Sequence, residues 1–349
     1  MGGQIALIAG ATGLIGRRVA AHLKQLGWKV IGLCRIPRAG GAVPLIGVDL
    51  TDAGDCRSKF VKLDGVTHVF YTARYDHPEG VTESVALNAA MLRNLVEALE
   101  PVAGGLRHIH AVHGTKYYGH HLGPVPVPAR EECPRAHGPN FYYAQEDFLR
   151  ERQRGKSWIF SISRPHSFCD ASWSEPRNIG LLIAIYAAIQ RELGLPLTYP
   201  GTEKSFQVAT QFTALELLVR ALAWMAEEPR CANQAYNIVN GDAPRWSGLW
   251  PRFASYFGMK AGPAQPVDLA VTMADKDEVW RLIGRKHGLR PTALQSLVLW
   301  PYGNYVFKPE WDIISDASKA RRDGFAGAVD SGRMFLGIFD YLRAERIVP

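Results

Sequence analysis

Ile5-Ala6-Leu7-Ile8-Ala9-Gly10-Ala11-Thr12-Gly13-Leu14-Ile15-Gly16 is the stretch on which the fold turns. Its first five residues are apolar and end at glycine, the mark of a strand buried on both faces. Ile15, Val19, Leu23 and Leu26 then recur at helical spacing, and Gly27 closes that helix. Between strand and helix lie Gly10, Gly13 and Gly16, in G-x-x-G-x-x-G spacing. The first allows a tight turn, the second lets backbone approach a pyrophosphate, and the third lets helix pack on strand. The helix start offers free N–H groups and a positive dipole end to the phosphates. Gly10, Thr12, Gly13, Leu14, Ile15 and Gly16 are therefore the expected dinucleotide cradle.

Outward from this turn, apolar runs at 30–34, 45–48, 69–72, 108–113 and 159–163 alternate with helical stretches, of which 87–99 and 143–152 are the clearest. That alternation predicts a parallel sheet with crossover helices. Beyond Arg164-Pro165 helices dominate, at 179–193, 214–227, 249–257, 277–287 and 334–344, with one more strand-like run at 235–239. The Pro/Gly-rich stretch 260–266 reads as a surface connection. The expectation is an α/β fold, a Rossmann-type doubly wound sheet over 1–165 that the chain re-enters at about 205–243. Residues 166–204 and 244–349 form a smaller, mainly helical substrate-binding lobe.

Composition narrows the function classes. Of 349 residues, 47% are hydrophobic and 21% charged, which is ordinary globular usage. The longest apolar run, 179–189, is well short of the ~20 residues of a membrane span. The start, Met1-Gly2-Gly3-Gln4, lacks the basic opening and cleavage site of a signal peptide. The 5 cysteines are far apart, odd in number and without a C-x-x-C pair. This argues for reduced thiols and a cytoplasmic protein. The net charge of +7 is scattered, and its densest group, Arg150, Arg152, Arg154 and Lys156, reads as a solvated helix end. No nucleic-acid partner and no membrane are expected.

The end of the second strand selects the dinucleotide. NAD enzymes usually place an acid there for the ribose 2′-hydroxyl. Here Cys34-Arg35-Ile36-Pro37-Arg38 puts Arg35 where it can pair bidentately with a 2′-phosphate, and no acid sits nearby to repel it. NADPH/NADP+ is the expected cofactor. Asp49 and Leu50 would border its adenine, and Thr72 and Ala73 would line its middle.

The glycine turn and this topology resemble the extended short-chain dehydrogenases/reductases, which usually carry Tyr-x-x-x-Lys on the helix after the fifth strand. The only such spacing here, Tyr256 to Lys260, comes far too late, at a helix end broken by Gly258. At the expected place stands Asn140-Phe141-Tyr142-Tyr143-Ala144-Gln145-Glu146-Asp147, with an acid four residues after each tyrosine. A lysine appears instead in His113-Gly114-Thr115-Lys116-Tyr117-Tyr118-Gly119. This pair of motifs resembles the progesterone 5β-reductase/iridoid synthase-like (PRISE) family, an atypical extended branch. The similarity continues through 66–71, 186–189, 237–242, 280–291 and the final Arg346-Ile347-Val348-Pro349, so it covers nearly the whole chain.

The resemblance implies NADPH-dependent reduction of the C=C bond of an enone, with Tyr142 as catalytic tyrosine and Lys116 as its partner. A phenol aimed at the carbonyl oxygen would stabilise the enolate left by hydride addition. The ammonium would lower the phenol's pKa and hold the nicotinamide ribose. Tyr143 competes for the role, since neighbours on a helix point about 100° apart and one alone can face the ring. The resemblance also puts Tyr302 near the substrate and Phe168 on the nicotinamide side. Members of the family are often dimers, so a homodimer is among the implied partners, besides the small-molecule substrate.

Some residues depart from the family pattern. His166-Ser167-Phe168-Cys169-Asp170 replaces a glycine-containing apolar turn, and His113, placed beside the substrate, stands where a small hydroxyl residue is common. His108, His110, His113, His120 and His121 cluster in sequence, but no carboxylate joins them, and no metal is expected. Two other functions share the scaffold. One is a carbonyl reductase or an epimerase, of which the epimerase would keep Tyr-x-x-x-Lys; the other is a non-catalytic NADP sensor, which would lose the catalytic pair.

Overall fold

β1 (Ile5–Ala9) is sealed from water from its second residue onward, as a strand covered on both faces must be. A computed structural model of the chain describes residues 3–37, 41–75 and 83–349, so Arg38 lies outside the described residues. β2 (Lys29–Cys34) and β3 (Leu45–Gly47) extend the sheet on one side of β1. On the other side come β4 (His68–Tyr71), β5 (His108–Val112) and β6 (Ile159–Pro165). The chain then makes β7 (Phe168–Cys169), β8 (Leu197–Tyr199) and β9 (Thr213–Ala214) before β10 (Gln234–Ile238) returns beside β6. The result is a 7-stranded sheet of order β10-β6-β5-β4-β1-β2-β3. Every pairing in it is parallel. This is the doubly wound Rossmann-type architecture that the sequence predicts.

Crossover helices join the strands: α1 (Leu14–Gln25), α2 (Ala53–Phe60), α3 (Val85–Leu99) and α4 (Phe141–Gln153). The side chains of Asp52, Ser84 and Asn140 cap the last three by accepting first-turn amides. α2 is not visible as a period in the sequence. Only Cys56 and Phe60 are buried in it, a single helical repeat among polar residues.

Past β6 the elements are mainly α5 (Ile179–Glu192), α6 (Glu203–Gln207), α7 (Leu215–Glu227) and α8 (Trp246–Tyr256), followed by helices to the C-terminus. α7 packs with α1 over Ala6, Ile8, Phe70 and Tyr236 on one sheet face. α2 to α4 cover Leu7, Val69, Ile109 and Phe160 on the other. A separate core surrounds α5, which is buried from Ile179 to Gln190, against Trp250, Phe253, Phe335 and Phe339. Among the described residues no helix is long and apolar enough to cross a membrane.

One expectation fails here. Within 260–266, Ala261–Ala264 forms β11, which pairs in parallel with β8. Gly262 permits this because a Cβ there would lie 2.7 Å from Thr198 Cγ2. A two-stranded ribbon has free edges, so it tolerates Pro263, which a central strand would not.

The centre of the sheet carries an unusual polar layer. His108 faces His68 across β4 and β5. His108 Nε2 and His110 Nδ1 both meet Ser161 Oγ, at 2.9 and 2.7 Å, and His110 Nε2 meets Ser163 Oγ at 3.0 Å. His108 and His110 thus share one strand face, and hydroxyls from β6 occupy it. Burial pushes the His68 imidazole down to about 4 and His110 to about 3, and lowers His108 strongly as well.

Candidate active site

The carboxyl ends of β1, β4, β5 and β6 converge, and the residues that follow them form the site. After β1, Gly10 takes φ +78, which favours glycine. A Cβ on Gly16 would lie 2.2 Å from Gly10 O, so only glycine fits where helix crosses turn. Gly13 is the N-cap of α1 and makes no side-chain cap, leaving the first-turn amides for an external anion. Thr12 and Gly13 are exposed, while Leu14 and Ile15 pack onto the sheet core. Thr72, just past β4, donates to Ala9 O at 2.7 Å, and Ala73 backs directly onto Gly10. Turn, amides and close approach all suit a dinucleotide pyrophosphate.

Arg35 is exposed just beyond β2. Asp49 lies near enough for the Arg35 charge to lower its carboxyl pKa, although its hydrogen bonds with the Thr51 hydroxyl and amide do more. The sequence reading that no acid sits nearby is corrected: β3 carries Asp49 to the side of β2. Leu50 is buried, and its carbonyl accepts from Asn94 at 2.9 Å.

After β5 come His113, Gly114 and a 3₁₀ turn, Thr115–Tyr118, that presents Lys116. The buried Arg164 clamps this turn, with its guanidinium 3.4 Å from the Tyr117 ring centroid and a donor 3.1 Å from the Tyr118 hydroxyl. Glu146, one of the acids found where a lysine would be usual, completes the clamp at 3.2 Å from Arg164. Asn140 Nδ2 donates to Lys116 O at 3.1 Å, tying the start of α4 to the same turn.

Tyr142 and Tyr143 sit side by side at the start of α4. The Tyr143 hydroxyl donates to Tyr117 O at 2.6 Å and accepts from Ala136 N at 2.9 Å. The Tyr142 hydroxyl has no hydrogen-bond partner among the described residues. A Cβ on Gly114 would lie 3.3 Å from it, so the missing side chain makes room there. The Tyr142 ring stacks on His113, with centroids 4.6 Å apart and planes 20° apart.

The Lys116 ammonium is 3.7 Å from Glu83 Oε1 and 5.6 Å from the Tyr305 ring centroid. Burial holds the Tyr142 phenol above its usual pKa, and Glu83 and Tyr305 add to this against Arg74. The expected lowering by Lys116 is not among these influences. Glu83, also 3.1 Å from Arg74, and Tyr305 are site residues that the sequence reading missed. Glu83 has no signal of its own, since tertiary packing alone brings it here. Tyr305 could have been found three residues after Tyr302, on the same helix face.

Phe168 lies on β7 against Thr213, following Ser167 at φ +37. Tyr302 is partly buried, and its phenol is raised by burial, with Cys169 and Tyr305 adding and Arg177 opposing. His166 meets Thr115 Oγ1 at 2.5 Å through Nδ1 and lies edge-on to His120, with centroids 4.9 Å apart. Tyr256 is not part of this site, and its hydroxyl donates to Asp340 at 2.7 Å.

Residues 47–349 match the model of the PRISE-like Rossmann-fold domain. The chain belongs to that family. Among its PRISE-like relatives, an (S)-8-oxocitronellyl enol synthase of Camptotheca acuminata is 32% identical, over 99% of this chain and 93% of that protein. A 3-oxo-Δ(4,5)-steroid 5β-reductase of Arabidopsis thaliana is also 32% identical, over 99% and 93%. A short-chain dehydrogenase of Penicillium aethiopicum is 33% identical, over 84% and 87%. Among solved structures, a short-chain dehydrogenase/reductase superfamily protein of Agrobacterium tumefaciens with bound NAD shares the fold. Its TM-score is 0.69 at 16% identity, over 98% of both chains.

Proposed function

We propose that this PRISE-like protein reduces the C=C bond of an α,β-unsaturated carbonyl compound with NADPH. The observation that carries the reading is the Tyr142 hydroxyl, which has no partner among the described residues and adjoins Gly114, two residues before Lys116. Bound NADPH would supply hydride to the substrate's β-carbon. Negative charge then develops on the carbonyl oxygen, and Tyr142 donates a hydrogen bond to that enolate. Its raised pKa keeps the phenol protonated, and so a donor, at neutral pH. Lys116 holds the nicotinamide ribose and adds positive charge, and solvent protonates the α-carbon. The two plant relatives, named for enone and enol chemistry, support this assignment.

Arg35 selects NADPH through the 2′-phosphate, within the cradle of Gly10 to Gly16, Asp49, Leu50, Thr72 and Ala73. Phe168 faces the nicotinamide, and Tyr302, from the lobe of 166–204 and 244–349, walls the substrate. The free cysteines support a cytoplasmic protein, and a homodimer is the partner arrangement in view.

The test follows NADPH oxidation with cyclohexenone and identifies the product by mass spectrometry. Cyclohexanone, lost on Tyr142→Phe or Lys116→Ala, is the expected result. Cyclohexenol would make the protein a carbonyl reductase instead. Tight NADPH binding without turnover of any enone tried would leave the sensor reading.

A further inference from the structure

We propose that His113 is a positioning residue for Tyr142, an imidazole used for its flat aromatic face rather than for its nitrogens. The proposal rests on Tyr142 being the enolate-stabilising phenol. A tyrosine that must meet substrate cannot spend its hydroxyl on the protein. Tyr143 shows the alternative, held at its tip by two hydrogen bonds. Tyr142 has no such anchor, so its orientation must come from contacts to the ring.

Two rings supply them. His113 lies nearly parallel beneath the phenol at 4.6 Å, and Phe141 meets it edge-on at 4.4 Å. His113 itself is fixed at the end of β5, where its amide donates to Ser163 O at 2.9 Å. Gly114, extended and without a side chain, then leaves the phenol tip free.

The His113 nitrogens point away from a chemical role. The residue is 4% exposed, and both ring nitrogens are sealed from solvent without a hydrogen-bond partner among the described residues. A proton relay needs a partner on each side, and no described residue bonds either nitrogen. Burial holds the ring neutral, aided by the charges of Arg164, His110 and Arg135. The Gln145 amide lies close enough to oppose this, but it donates to Asn88 O at 2.9 Å and makes no bond of hydrogen-bond geometry to the imidazole. Two buried, unpaired polar atoms destabilise a fold, so an apolar ring of similar shape should be welcome here.

His113→Ala, His113→Leu and His113→Phe separate face from nitrogens. Removing the face in His113→Ala should lower kcat by about tenfold to hundredfold, the scale of a misplaced catalytic group. The KM for NADPH should stay within about twofold. His113→Phe should recover the rate to within about fivefold of wild type and melt no lower than wild type. His113→Leu fills the space without a flat face and should stay near the alanine variant. Should His113→Ala not fold, the Phe and Leu pair decides the matter. A folded, NADPH-binding His113→Phe as slow as His113→Leu would overturn the proposal, because the nitrogens would then be needed. Wild-type kcat in His113→Ala or His113→Leu would overturn it too. Retained activity in Tyr142→Phe would instead sink the underlying reading, and this proposal with it.

Discussion

Tyr142 and Tyr143 are adjacent on α4, yet their hydroxyls live in different surroundings. Removing a donor aimed at a developing oxyanion usually lowers kcat by about 10²–10³-fold, and Tyr142→Phe should do so at unchanged NADPH affinity. Tyr143→Phe deletes hydrogen bonds to Tyr117 O and Ala136 N instead. Its cost should show as a melting temperature lowered by the equivalent of about 1–2 kcal/mol, with kcat within a few-fold of wild type. Glu83 bears on the same phenol from across the site. Since its charge raises the Tyr142 pKa, Glu83→Gln should move the alkaline limb of the kcat profile to lower pH. An unmoved limb would mean that Tyr142 is not the group titrating there.

At the level of elements, two turns do most to assemble the site. In the proposed function the glycine turn holds the cofactor end, and Arg35 at the tip of β2 meets what lies beyond it. Arg35→Ala should weaken NADPH binding by about 10–100-fold, the worth of a charge-assisted pair, and leave NADH affinity nearly unchanged. Equal weakening of both would show that Arg35 does not meet a 2′-phosphate. Asn140 joins the other two functional segments, capping α4 and holding the carbonyl of Lys116. Asn140→Ala should therefore cost about 1 kcal/mol of stability as a lost cap. It should also lower kcat, because both Tyr142 and Lys116 lose a shared tether.

Across the whole molecule, buried imidazoles should make the fold acid-sensitive. His68, His108, His110, His113, His120 and His166 all have pKa values lowered by burial from 6.5. The unfolded chain takes up protons as pH falls through 6.5, and the native state resists until much lower pH. Stability from these groups is therefore complete above that value and is lost below it. The loss is on the order of 1 kcal/mol per histidine one pH unit lower. Melting temperature should drop steeply between pH of about 7 and about 5.5. His110→Gln should flatten that slope, and an unchanged slope would assign the acid sensitivity to other groups.

Local patterns were enough for the fold and for half of the candidate site. A five-residue apolar run, glycines at a three-residue interval and an Asn-Phe-Tyr-Tyr helix start are each set by neighbours in sequence. Backbone sterics and burial leave them little choice of conformation, so the sheet, the cradle and the candidate pair Tyr142 and Lys116 were legible. The β8–β11 pairing was not, because it joins segments more than sixty residues apart and one of them carries Gly262 and Pro263. Nor were Glu83, Tyr305 and the His113 stack, whose positions depend on which side chains packing brings within a few ångströms. The direction of the Tyr142 pKa shift follows from the same cause. Sequence shows which charges exist, while burial and distance, which only the tertiary structure fixes, decide which of them the phenol feels.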